Sequence, residues 1–113
     1  MLLPNWIENF PGALTVCDAA GVIIYMNAKS AQTYAADGGR ALIGRNLLDC
    51  HSESSRGKLQ KLMESHQKNI YTIEKNGVKK LIFQAPWFEG EQFAGILELS
   101  VEIPFEMPHF LRS

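Results

Sequence analysis

The sequence has no long hydrophobic run. Its longest, Gly21 to Met26 with its neighbours, falls far short of the roughly 20 residues that a membrane-spanning helix needs. The opening Met1-Leu2-Leu3-Pro4 lacks the basic segment and apolar stretch of a secretory signal, so the expected location is the cytoplasm. Cysteine is scarce: Cys17 and Cys50 only, with no CxxC. A disulfide is not expected in a cytoplasmic chain of this size. No excess of positive charge exists, since 11 basic residues meet 12 acidic ones, which argues against nucleic acid as the main partner. No repeat and no low-complexity tract appears.

What is present is an ordinary globular composition, 46% apolar and 20% charged, in 113 residues. Division into two folded units would leave each too small to bury a core, so residues 1–113 are read as one domain. The charge is unevenly spread. Residues 56–80 carry seven basic groups against Glu64 and Glu74, whereas residues 81–111 carry five glutamates and no lysine or arginine. Such segments can pair across a sheet or a dimer, or can simply form two solvated faces.

The order of elements follows from periodicity and turn residues. Residues 4–10 read as one or two helical turns, with Pro4 at the start and Trp6, Ile7 and Phe10 on one side. Ala13 to Asp18 and Val22 to Met26 read as a hairpin closed by Asp18-Ala19-Ala20-Gly21. Asn27 is positioned to cap a helix that ends at Asp37-Gly38-Gly39. A loose segment runs from Arg40 to His51. A longer helix, capped by Ser52 or Ser54, extends to about Gln67 with Leu59, Leu62, Met63 and His66 as its core stripe and Gly57 as a weak point. Strands follow at Asn69 to Lys75, Val78 to Phe88 and Gln92 to Ile103, with Asn76-Gly77 a strong hairpin signal. In the last strand Leu97, Leu99, Val101 and Ile103 alternate with Glu98, Ser100 and Glu102, so the first set is expected to be buried and the second wet. Hairpins at both ends with helices between them make an α+β fold.

Four of these features, in this order, resemble a PAS domain over roughly residues 10–103. They are the Asp18-Ala19-Ala20-Gly21 turn; Asn27 with Ala28 and Ala31; Ile43-Gly44-Arg45-Asn46 before the long helix; and the final three-strand meander with Asn76-Gly77 and Gly95-Ile96-Leu97-Glu98. Cys50-His51-Ser52 is similar to a Cys-His pair found in a subgroup of stand-alone PAS domains. The resemblance implies a five-stranded antiparallel sheet with helices on one face, the first hairpin at the middle and the last strand beside the first. It also implies a sensory or interaction role and a ligand held between sheet and helices. Residues 104–113 read as a tail carrying no output domain, so the signal is expected to pass to another protein.

The same resemblance bears on cofactors. In haem-binding members the axial histidine lies inside the long helix, about eight residues past the position of Cys50, where this chain has Lys58. Blue-light flavin members carry Gly-Arg-Asn-Cys, and Leu47 takes the place of that cysteine here. No haem and no covalent flavin is therefore expected, and an unknown small organic ligand is. His51 and His66, at the helix ends, suit capping or hydrogen bonding better than haem ligation. Adjacent Cys50 and His51 rarely reach one metal ion together, even with Cys17, His66 or His109 in support, so no metal is expected. They equally lack the oriented third group of a Cys-His hydrolase.

Pocket candidates are Tyr34, Leu47, His51, Met63, Phe83 and Leu97, with Tyr25 and Tyr34 carrying hydroxyls that can orient a ligand. The expected function is a sensory module without catalysis. The alternative is a small isomerase-like enzyme with a buried acid, which an inward-turned Glu74 or Glu98 would favour. Trp6, Ile7, Phe10 and Trp87 are apolar groups with no evident place inside, and they are expected at a homodimer contact.

Overall fold

In the computed structural model, residues 3–50 and 53–113 are described. The expected hairpins form as two-residue and four-residue turns dictate. Strands β1 (Ala13–Cys17) and β2 (Ile23–Met26) are antiparallel, with Gly21 at φ +88° and the Asp18 carboxylate accepting from the backbone N–H groups of Ala20 and Val22. Strands β3 (Asn69–Lys75) and β4 (Val78–Glu89) join through Asn76 and Gly77, both at positive φ as a tight hairpin turn requires. Strand β5 (Gln92–Ile103) pairs with β4 along almost its whole length and with β1 on its other side.

The sheet order is β2-β1-β5-β4-β3, all antiparallel where paired. The last strand lies beside the first, as expected. The first hairpin is not central, however: β2 forms an edge and β5 holds the middle. The physical reason is length, because twelve-residue β5 can pair on both sides, whereas four-residue β2 cannot span the sheet. The edge of β2 is closed by residues 44–47. Gly44 N–H donates to Ile23, Ile23 N–H to Arg45, and Leu47 N–H to Gly21. The strand pairing also places Lys80 opposite Glu102 and Lys79 opposite Glu74 in register, so residues of opposite charge are neighbours across the sheet.

The helical elements are α1 (Asn5–Glu8), α2 (Ala28–Thr33) and α3 (Glu53–Ser65), with 3-10 turns at Ala35–Asp37, Gly39–Leu42 and Leu47–Cys50. Helix α2 is shorter than the periodicity indicates, and its continuation tightens into 3-10 turns around Gly38 and Gly39, both at positive φ. His66 lies just beyond α3 at φ +55°, and stacks on Phe93 with ring centroids 4.0 Å apart rather than joining the core stripe. Of the expected caps of α3, Ser52 lies outside the described residues.

Asn27 does more than cap a helix. It is fully buried at 0% exposure, and its side chain makes four hydrogen bonds. Its carbonyl oxygen accepts from the N–H of Ser30, the cap bond, and from the N–H of Leu14 in β1, both at 3.0 Å. Its amide nitrogen donates to the carbonyls of Ile7 and Gly12 at 3.0 and 2.9 Å. One side chain thus joins α1, β1 and α2.

The two faces of the sheet differ from the expected assignment. Ile96, Glu98 and Ser100 face the helices, together with Cys17, Thr15 and Ala13 of β1 and Ile82 and Gln84 of β4, and Ser100 is only 7% exposed. Leu97, Leu99 and Val101 lie on the opposite face with Leu14, Val16, Leu81 and Phe83. The alternation is right and the side is reversed. Phe10 and the side chains of Val101 and Leu99 crowd the Cα of Gly12, so the segment before β1 covers part of that opposite face itself.

Trp87 also lies on the opposite face, beside Gly95, and its indole N–H donates to the carbonyl of Cys17 at 3.0 Å. The side chain reaches across β5 because Gly95 has none: a Cβ there would lie 1.9 Å from the Cys17 oxygen. A bulge between Trp87 and Phe88 lets the two consecutive aromatics leave the strand in different directions, and Phe88 meets Phe93 edge-on.

Three substitutions test this architecture. Asn27→Ala strands two N–H and two C=O groups and is expected to cost about 3 kcal/mol or more in urea unfolding; a loss below about 1 kcal/mol would remove Asn27 from its central place. Gly95→Ala meets backbone at φ +149° and is expected to cost at least about 2 kcal/mol. Gly57→Ala, in helix α3 with open space around it, is expected to gain about 0.5–1 kcal/mol in the same assay.

Candidate functional site

A cavity of about 320 Å³ lies between the helix-facing side of the sheet and the segment from Tyr34 to Leu59. Its walls are largely apolar: Ile23, Met26, Leu42, Leu47, Leu59 and Ile96. Ile23, Met26 and Leu42 form one buried cluster, and Cys17, Leu62 and Ile96 a second. Leu47 packs against both, so the Gly44-Arg45-Asn46 run that closes the β2 edge also delivers a side chain between the two clusters.

The polar part of the cavity is a chain of side chains running across the sheet. Asn69 Nδ2 donates to Gln84 Oε1 at 2.9 Å, and Gln84 Nε2 donates to Glu98 Oε2 at 2.8 Å. The Tyr34 hydroxyl donates to Glu98 Oε1 at 3.0 Å. Strand register creates the first two contacts, since Asn69 faces Gln84 and Gln84 faces Glu98 on adjacent strands. The third comes from α2, whose C-terminal cap is Tyr34. Burial, and then the neighbouring Glu98 carboxylate, push the Tyr34 phenol well above its ordinary range, so it remains a hydrogen-bond donor at neutral pH. The same two causes raise Tyr71. Cys17 lines the cavity with its thiol raised by burial first of all, which makes it an unreactive, protonated thiol.

Of the residues singled out from sequence, Tyr34 and Leu47 line this cavity. Met63 packs beside it against the Cys17, Leu62 and Ile96 cluster. Phe83 and Leu97 do not reach it: they are corrected to the opposite face of the sheet, where the strand register places both. His51 lies outside the described residues. Tyr25, opposite Val16, is likewise turned away from the cavity. Lys58 is an exposed residue of α3 and lines an open groove between α3 and the β3–β4 side of the sheet. Trp6 is 75% exposed, whereas Ile7 is half-buried, its carbonyl held by Asn27. Among the described residues, no group of three His, Cys, Asp or Glu side chains is placed to hold a metal ion.

Sequence reasoning missed Gln84 and named an inward Glu98 only as the mark of the enzyme alternative. Glu98 was assigned to a wet face because it alternates with leucines, and Glu74, the other acid considered, is exposed on β3. The available signal was Gln84 itself, a polar residue in the otherwise apolar Leu81–Pro86 run, which needs a partner if it is covered. A carboxylate accepting from one phenol and one amide can bind a donor group.

The family model described as the PAS fold matches residues 7–66, just over half of the chain. Among solved structures, the C-terminal domain of a protein from Streptococcus mutans superposes with a TM-score of 0.70 at 16% identity, over 90% of each chain. The PAS domain of a protein from Colwellia psychrerythraea gives 0.64 at 21% identity, over 87% of this chain and 91% of that one. The PAS domain of the histidine kinase ThkA gives 0.65 at 17% identity, over 80% of this chain and 97% of that one. No curated protein is detectably similar in sequence. The matched family model, the five-stranded sheet in the order β2-β1-β5-β4-β3 and the cavity-forming helical segment between its hairpins make this chain a member of the PAS domain family.

Proposed function

We propose that the chain is a cytoplasmic sensory or interaction module that takes a small organic ligand in the Glu98 cavity, performs no catalysis, and relays its state to a protein partner. The observation that carries this reading is the cavity itself, apolar over most of its wall, with one polar cluster formed by Tyr34, Gln84 and Glu98. Its volume of about 320 Å³ falls within the range of small-molecule sites. Some of the solved structures it resembles are sensor regions of histidine kinases, which supports a sensory role. No helix of the described residues is long and apolar enough to cross a membrane. The free, buried thiol of Cys17 suits a reducing compartment.

An inward acid also favours the isomerase-like reading, and Glu98 supplies it. Against catalysis, both of its hydrogen bonds among the described residues come from neutral donors, and the one titratable donor, the Tyr34 phenol, is pushed up by burial and by Glu98 itself, away from the range that suits proton transfer at neutral pH. Native mass spectrometry of protein purified from its own source tests the ligand reading. A retained small organic mass, without haem or flavin, is expected; a stoichiometric haem or flavin mass overturns the cofactor expectation that rests on Leu47 and Lys58.

We also propose a homodimer built on the apolar outer face of the sheet. Leu14, Val16, Phe83, Leu97 and Leu99 are only half-buried there, Phe10 packs near Leu99 and Val101, and α1 carries Trp6 outward. Ile7 and Phe10 anchor that segment to its own subunit. Trp87 is corrected from a free contact to an internal clamp on Cys17 that leaves one edge open. Light scattering at micromolar concentration is expected to give twice 12.7 kDa; the single mass sinks the dimer. Trp6→Ala is expected to weaken association at least tenfold while shifting monomer stability by less than about 0.5 kcal/mol, as befits an exposed position.

A further inference from the structure

The charge in the cavity is uncompensated. Glu98 accepts one hydrogen bond on each carboxylate oxygen, from the Tyr34 hydroxyl and the Gln84 amide, and both donors are neutral. Among the described residues the ion pairs are Arg40 with Glu8 and Arg56 with Asp49, so no side-chain cation lies within 4.0 Å of Glu98. Lys58, Lys61 and Lys68 line the adjoining groove that also reaches Glu98, and none of them closes on it. Asp37, a second carboxylate, and Arg45 lie on the exposed side of the cavity. Arg45 therefore does not neutralise the inner acid.

A carboxylate can accept about four hydrogen bonds, so each oxygen of Glu98 retains capacity toward the cavity. Gln84 is engaged at both ends of its amide, accepting from Asn69 and donating to Glu98. The Tyr34 proton is likewise committed to Glu98. The cluster thus presents acceptor sites and negative charge to the cavity and no free donor. Around it stand the apolar side chains of Ile23, Met26, Leu42, Leu47 and Ile96, and a charge pair made against such walls is stronger than one in open water.

We infer that the ligand is an organic cation bearing N–H, a compact apolar body with a protonated amine that donates to Glu98. This inference rests on the cavity being the ligand site. A charge-assisted hydrogen bond of this kind is roughly twice as strong as a neutral one, and it supplies the counter-charge that the protein withholds. An anionic ligand would meet Glu98 inside and Asp37 at the exposed side with the wrong sign, against Arg45 alone.

Three probes with one body and different heads decide the matter: 2-phenylethylamine, 2-phenylethanol and phenylacetate, titrated by calorimetry into the full chain, with methyl shifts at Ile23, Met26 and Ile96 locating the site. The amine is expected to bind at least tenfold tighter than the alcohol, and the acid not to bind. Glu98→Gln is expected to abolish the advantage of the amine over the alcohol. Equal binding of amine and alcohol, binding of the acid, or an amine affinity indifferent to Glu98→Gln would each overturn the inference. If that variant does not fold, the three-probe comparison on the unaltered chain decides alone. If no probe binds while native mass spectrometry shows a retained neutral mass, the cavity reading stands and the cation falls; if no probe binds and no mass is retained, both fall.

Discussion

The structure depends on one buried amide. Asn27 occupies the point where the first hairpin ends and the helical segment begins, and every polar atom of its side chain is used within the fold. Its carbonyl oxygen accepts two N–H groups and its amide donates two hydrogens, which is a full complement for that side chain. No other residue type of this size offers two donors and two acceptor directions. The consequence reaches the site: α2 starts where Asn27 fixes it, and six residues of helix later Tyr34 meets Glu98 on β5. A structural cap and a cavity wall are thus two ends of one short helix.

The sheet is unusual in what it hides and what it shows. Helix-facing positions carry Thr15, Gln84, Glu98 and Ser100, and the first three are bonded to one another and to helix residues, as in the 2.6 Å contact between the Thr15 and Ser30 hydroxyls. The outer face carries Leu14, Val16, Leu97, Leu99 and Val101. A domain that only needed stability would reverse this arrangement. Polar groups turned inward leave room for a cavity with chemistry in it, while an apolar exterior suits a face that meets another surface.

Gly95 and Trp87 show how the centre of such a sheet is kept thin. The glycine removes a side chain where β5 passes β1, and the tryptophan of β4 fills the space and bonds to the far strand. The cavity lies on the other side of the same strands, so the clamp stiffens its floor without entering it. Phe10 does the same service nearer the other end of β5, against Leu99 and Val101.

Local chemistry made much of this chain legible from its residues. Asn76-Gly77 and Asp18 with Gly21 set the turns because their conformations are decided within four residues. Asn27 was recognisable as a cap for the same reason, although its bonds to Ile7 and Gly12 were not, being 20 and 15 residues away. The period of β5 was readable, but a period of two defines two sets of residues without saying which set meets the helices. That choice was made by partners distant in sequence: Tyr34, 64 residues before Glu98, and Gln84, 14 before it. The sequence by itself determined the elements, their order and the turns between them, since these rest on interactions among near neighbours. Only the tertiary structure decided that Glu98 faces inward and Leu97 outward, because the free energy of burying a carboxylate depends on donors that strand register and helix placement bring to it.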